Sequence, residues 1–246
     1  MRPTRLGRRW HRRQVVPNAS YAYQRTDGIH PIREDIVHDA LEDHEAMRQI
    51  YDEVCRSAAP QAGGKWFNQF VWTYCRHSYA ENVVLYTLLG TMGDRGRALA
   101  DQGHAEHVRL MYDLQRVVSD RDMKRFDAFY RTLRDHMEFE EGPNGVLHHL
   151  QQNFASRDQW RLASLEYAMA KAHAPTRPHA PLTANPGVVE RARALLLQGP
   201  IDKLKDCFTE FPALHELQVQ EPLLKPILAK DDNAGAGRKV PASGPQ

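Results

Sequence analysis

Between Ile32 and Phe154, apolar residues recur at steps of three and four, the spacing that lines them up on one face of an α-helix. Four such stripes can be traced. The first runs Val37, Ala40, His44, Met47, Tyr51, Val54, and the second Phe70, Tyr74, His77, Glu81, Leu85, Leu88, Met92. The third is Leu99, Gly103, His107, Leu110, Leu114, Val117, and the fourth Phe126, Phe129, Leu133, His136, Glu140. Turn-forming stretches separate them: AAPQAGG (58–64), MGDRG (92–96), VSDRD (118–122) and EGPNG (141–145). In the last of these Pro143 has no amide hydrogen and cannot continue a regular turn. Sustained two-residue alternation, the mark of a half-buried strand, is missing. Four helices joined by short loops imply antiparallel neighbours. The predicted fold is therefore all-α: an up-down-up-down antiparallel four-helix bundle with a C-terminal helical extension.

The pattern also divides the chain. Residues 1–31 read as a basic, disordered tail, 32–155 as the bundle, 156–229 as a helical extension with a Pro-rich linker, and 230–246 as a second disordered tail. Within the extension, SRDQWRLASLEYAMAKAHA (156–174) reads as a helix. Pro175–Pro186 reads as a linker with no packed structure of its own. Val188–Leu197, Ile201–Phe208 and Leu214–Leu228 read as further helical pieces.

Each stripe is broken by a histidine, and two of them carry a glutamate one turn later: His44, the pair His77 and Glu81, His107, and the pair His136 and Glu140. In an antiparallel hairpin, residues equally far from the turn lie level. Measured from the breaks, the four histidines mismatch by about three or four residues, roughly 5–6 Å at about 1.5 Å per residue, so one layer can contain them all. Four imidazoles and two carboxylates in a dry layer would leave many polar atoms unpaired, at about 1–3 kcal/mol each. Two buried carboxylates would also repel one another. A cation removes both difficulties. Imidazole with carboxylate favours iron, manganese or zinc over calcium or magnesium, and six donors exceed what one tetrahedral zinc needs, which points to two ions. Tyr51 and Tyr74 read as packing, His104 as structural or exposed, Glu141 as solvent-facing, and His148 and His149 as surface residues.

Composition narrows the picture further. Of 246 residues, 41% are hydrophobic and 26% charged, an ordinary globular balance. A formal net charge of +2 argues against nucleic-acid binding by bulk electrostatics. No apolar run approaches the roughly 20 residues of a membrane span. Three cysteines (Cys55, Cys75, Cys207) are too few and scattered for a disulfide framework or zinc cluster, and read as buried reduced thiols of an intracellular protein. Seven arginines (Arg2, Arg5, Arg8, Arg9, Arg12, Arg13, Arg25) precede the first acidic residue, Asp27. That start resembles a mitochondrial presequence, but Leu6, Trp10, Val15 and Val16 form no stripe. A basic tail on a cytoplasmic protein is the expectation, with a mitochondrial address as the alternative.

Four motifs in order, DHEAM around His44, HSYAE (His77–Glu81), EHVRL around His107 and HMEFEE (His136–Glu141), resemble the hemerythrin-like, HHE cation-binding domain. The resemblance covers roughly Ile32 to Phe154. It implies a non-haem di-iron centre in the bundle, with His44, His77, His107 and His136 as terminal ligands and Glu81 and Glu140 as bridging ligands. Two iron ions are the implied cofactor, ahead of manganese or zinc, and dioxygen or a related small ligand the implied partner. The match departs from the oxygen carriers at one place: the family's second histidine, one turn before the one matching His107, is here Gly103. That leaves one coordination position to be filled by water, Glu106 or a displaced His104. The expected function is binding or sensing of oxygen or iron rather than catalysis. The alternatives are an oxygen- or peroxide-consuming di-iron enzyme and a metal-free helical interaction module.

Overall fold

The computed structural model describes residues 35–57, 64–154, 156–179 and 193–217. The expected tails at 1–31 and 230–246, most of the linker and the end of the last helical piece lie outside the described residues. Everything described is helix, turn or coil, with no strand.

Helix α1 spans Ile36–Arg56 and starts at Asp35, whose carboxylate accepts from the amides of Val37 (3.0 Å) and His38 (3.2 Å), two donors the first turn cannot satisfy internally. Helix α2 begins as Lys65–Ala80, passes through a π-helical turn at Glu81–Leu85 and closes as Tyr86–Leu89. Helix α3, Gly93–Asp120, ends at Arg121 in the left-handed region (φ 53°). Helix α4, Met123–Glu141, is capped by Asp122 onto the amide of Lys124 at 2.9 Å and stops before Pro143. Short α5 (Val146–Asn153) and long α6 (Arg157–His173) come next. Then come a π-helical turn at Ala194–Gln198, α7 (Gly199–Asp206) and the single turn α8 (Leu214–Leu217).

Helix α1 packs on α2 and α3 on α4, while α1 also meets α4 and α2 meets α3, so the four helices form a bundle. Its interior falls into two apolar clusters. One holds Met47, Ile50 and Val54 of α1, Phe70 and Tyr74 of α2, Leu110 and Leu114 of α3, and Phe126, Phe129 and Leu133 of α4. The other holds Ile36, Val37 and Ala40 of α1, Leu85 and Leu89 of α2, Leu99 and Ala100 of α3, and residues of α5 and α6. On α1, α2 and α3 the stripe histidine sits at the changeover between them: His44, His77 and His107. The polar layer thus lies between two greasy plugs, and one of them is sealed by Val146, Leu147 and Leu150 of α5 with Ala163 and Tyr167 of α6.

The apolar stripes of α3 and α4 are buried as the periodicity predicts. The stripe of α2 is not. A π-helical turn holds one residue more than an α-turn and rotates the remainder of the helix about its axis. Beyond Glu81 the buried residues are Val84, Leu85, Tyr86 and Leu89, whereas Leu88 and Met92, expected inside, are only half-buried.

Two further expectations are corrected. Pro175 and Thr176 are buried, although the linker was expected to lack packing. The fully buried carboxylate of Asp202 accepts from the amides of Thr176 and Arg177, both at 3.2 Å, and lies 2.8 Å from His179 Nε2. A buried acid needing donors immobilises this stretch. Of the three thiols only Cys75 is buried; Cys55 and Cys207 are exposed. No helix among the described residues is long and apolar enough to cross a membrane.

Candidate metal centre

All six stripe-breaking side chains converge. His44, His77, His107, His136, Glu81 and Glu140 are each at most 2% exposed. Their donor atoms form two groups: His44, His77, Glu81 and Glu140, and then Glu81, His107, His136 and Glu140, every atom within 4.8 Å of the others in its group. The two glutamates belong to both groups, and each group adds two histidines of its own.

The distances have the scale of a coordination sphere. With metal–donor bonds of about 2.1 Å, donors at right angles lie about 3 Å apart and opposite donors about 4.2 Å. His44 Nε2 is 3.1 Å from Glu140 Oε2 and 4.0 Å from Glu81 Oε1. His77 Nε2 and His107 Nε2 lie 3.0 and 3.4 Å from Glu81 Oε2. His136 Nε2 lies 3.5 Å from Glu140 Oε2 and 2.9 Å from His107 Nε2.

Close as they are, several of these atoms do not point at each other as hydrogen bonds require. His44 Nε2, His77 Nε2, both Glu81 oxygens and Glu140 Oε2 are buried without a hydrogen-bond partner. At about 1–3 kcal/mol each, these five atoms would forfeit on the order of 5–15 kcal/mol, as much as a whole domain's net stability. Neutral imidazole nitrogens and carboxylates facing a common point are the donor set that a cation of the transition series takes, so the residues fit such an ion.

While Nε2 of every histidine faces inward, its Nδ1 is held from outside. His44 Nδ1 lies 2.8 Å from Glu141 Oε1, which also pairs with Arg48 at 2.6 Å. His77 Nδ1 lies 3.2 Å from Tyr167 Oη and 3.4 Å from Asp43 Oδ2. His107 Nδ1 is 3.2 Å and His104 Nδ1 2.7 Å from Asn82 Oδ1. His136 Nδ1 is 2.6 Å from Glu106 Oε2. Such outer partners fix the ring orientation and the tautomer, leaving the Nε2 lone pair free for a metal.

The electrostatics of the ion-free cluster arise from burial and mutual charge. Burial and the neighbouring Glu140 charge push the Glu81 carboxyl up. Burial would raise Glu140 too, but His136 and His44 outweigh it and hold that carboxyl far below its usual range. Burial lowers His77, yet the charges of Glu81 and Asp43 push it up to about 10. Burial with the nearby His136 charge drives His107 well down. Burial would also raise Asp43, but Lys171 and His77 hold it well below the carboxylate range. Burial and mutual charge thus shift the members of the layer in opposite directions.

The six side chains that break the apolar stripes meet in one layer, but the residues that hold them from outside carry no such local pattern. Glu141, expected to face solvent, turns back onto His44 and also pairs with Arg48; both partners lie more than 90 residues away in the chain, so no local signal marks it. Asp43 is 1% exposed beside His44 in the chain, yet it serves His77 on the next helix. Tyr167 and Lys171 come from α6, so the extension reaches the centre: Tyr167 Oη is 3.2 Å and Lys171 Nζ 2.5 Å from the Asp43 carboxylate. His104, at 6% exposed, is a structural partner of Asn82. His148 and His149 are half-buried and stand outside both groups of donors. At Gly103 the structure differs most from expectation: the space beside it is occupied by the ring of Tyr86.

Comparison with known proteins agrees with this geometry. Residues 35–143 match the hemerythrin HHE cation binding domain, so the resemblance carried by the four motifs is shown for that segment. The chain is also similar to an uncharacterized hemerythrin-like protein of Schizosaccharomyces pombe, 26% identical over 183 residues that make up 72% of this chain and 88% of that protein. No solved structure matches it significantly.

Proposed function

Starting from the hemerythrin-like segment, we propose that this protein is a non-haem di-iron protein that binds or senses oxygen or iron. In this reading α1 to α4 run up-down-up-down, which is how consecutive helices come to pair and their histidines to share a layer. His44 and His77 would hold one ion and His107 and His136 the other, with Glu81 and Glu140, common to both donor groups, serving each. One observation carries the proposal: every inward Nε2 faces the shared carboxylates while every outward Nδ1 has its own partner.

Iron there would supply a redox couple and a coordination position for dioxygen or a related small ligand. The chain's own residues do the rest. The two apolar clusters keep bulk water from the layer, Glu141, Asp43, Asn82 and Glu106 hold the rings in register, and α6 closes the side at His77 through Tyr167. Iron in preference to manganese or zinc rests on the family resemblance; the donor set accepts all three.

The test is the visible spectrum of the iron-loaded chain taken through anaerobic reduction and back to oxygen. A spectral change that reverses on removing oxygen supports binding or sensing. Continuous consumption of oxygen or peroxide supports the enzyme alternative instead, and a chain that folds identically and takes up no metal removes both.

A further inference from the structure

Resting on that two-ion reading, we propose that Tyr86 supplies a phenolic oxygen ligand to the ion held by His107 and His136. It would take the position that the family fills from the residue matching Gly103.

Tyr86 is the first residue after the π-helical turn and is 1% exposed. The extra residue in that turn aims the phenol at the centre; an uninterrupted α-helix would have presented Leu85 and Leu88 on this line. Tyr86 Oη donates to Glu140 Oε1 and lies 3.5 Å from His136 Nε2. Its ring centre is 5.2 Å from that of His107. Glu140, His136 and His107 all belong to the second group of donors, and a phenol oxygen in contact with one of them and 3.5 Å from another lies at the scale that separates donors on a shared ion, about 3 Å.

Gly103 makes room for it. A Cβ at that position would lie 2.4 Å from Tyr86 Cζ, 2.6 Å from Oη and 2.7 Å from Cε1. The two positions are thus alternatives for one volume: a side chain from α3, or a phenol reaching across from α2. In this chain the helix that loses a donor faces the helix that gains one. Ligation breaks the phenolic O–H bond and forms an oxygen–metal bond; the proton leaves to solvent and no oxidation state changes.

The experiment loads the full chain with ferric iron alone and reads bound iron per chain, visible absorption and resonance Raman, for wild type, Tyr86→Phe and Tyr74→Phe. Tyr74 is the control because it is equally buried, on the same helix, and its hydroxyl has no hydrogen-bond partner. Expected are a phenolate-to-iron charge-transfer band in wild type and Tyr74→Phe, and iron without that band in Tyr86→Phe. Should Tyr86→Phe fail to fold, Gly103→Ala displaces the ring instead and should weaken or shift the band. Iron bound by wild type without the band, or a band that survives these changes, overturns the role of Tyr86 while leaving the two-ion reading intact. No iron bound by wild type removes both.

Discussion

Asp43 offers the most informative single substitution. It touches none of the inward nitrogens, yet its carboxylate links His77 to Tyr167 and Lys171 of α6. Asp43→Asn keeps the shape and removes the charge. Two costs result and can be separated. First, Lys171 loses its counter-charge. Breaking a buried ion pair by removing one partner costs about 3–5 kcal/mol. The Lys171 side chain is 13% exposed, so water relieves part of this and about 2–3 kcal/mol remains. At roughly 2–4 °C per kcal/mol for a chain of this size, Tm falls by about 5–10 °C. Second, the His77 ring loses the charged partner that orients it, and such losses lower metal affinity by about 10–100-fold. The double variant Asp43→Asn/Lys171→Met no longer strands a buried ammonium. It should regain most of the Tm of the metal-free protein while its metal affinity stays low. Thermal unfolding in chelator and a metal titration measure the two quantities independently. Wild-type metal affinity in Asp43→Asn would refute the reasoning, as would a double variant in which affinity recovers along with stability.

Three other expectations are direct. Glu81→Ala removes the carboxylate common to both donor groups, so metal content should fall to one ion or none with a lower Tm, because binding is coupled to folding; unchanged content by elemental analysis would take Glu81 out of the centre. Glu141→Gln loosens His44 and leaves Arg48 with Glu45 as its carboxylate partner. Because Glu141 is partly exposed, its effect on unfolding in urea should be small, whereas metal affinity should drop about tenfold; a large stability loss with unchanged affinity would assign it a packing role. Acidification should release metal, since protons and cation compete for the same imidazoles and carboxylates. Affinity therefore rises with pH through the acid to neutral range, and a pH-independent affinity would contradict coordination by these six residues.

How much of this was legible in the sequence depends on the range of the interaction. The inner residues were, because each breaks an apolar stripe at helical spacing, and a stripe is a local pattern. His44, His107 and His136 needed only the period of their own helices. Tyr86 was hidden because nothing local in ENVVL announces a π-helical turn, and without it the period assigns the inward face to Leu88 and Met92. The outer partners were hidden for a different reason. Asp43 meets Lys171 across 128 residues of chain and His44 meets Glu141 across 97, and no periodicity links positions so far apart. Gly103 was read as a missing ligand; its neighbour in space, not in sequence, gives it another meaning. The packing of Pro175 and Thr176 has no local signal either, since it depends on Asp202, a buried carboxylate of a later helix.

A function at this centre requires two ions to hold six buried side chains together. Elemental analysis of the purified chain before and after chelation, read beside its thermal unfolding, puts that requirement to the test. Close to two transition-metal ions per chain are expected, with a marked fall in Tm when they are withdrawn. A chain carrying no metal, and unfolding at the same temperature whether or not chelator or added iron is present, would contradict it.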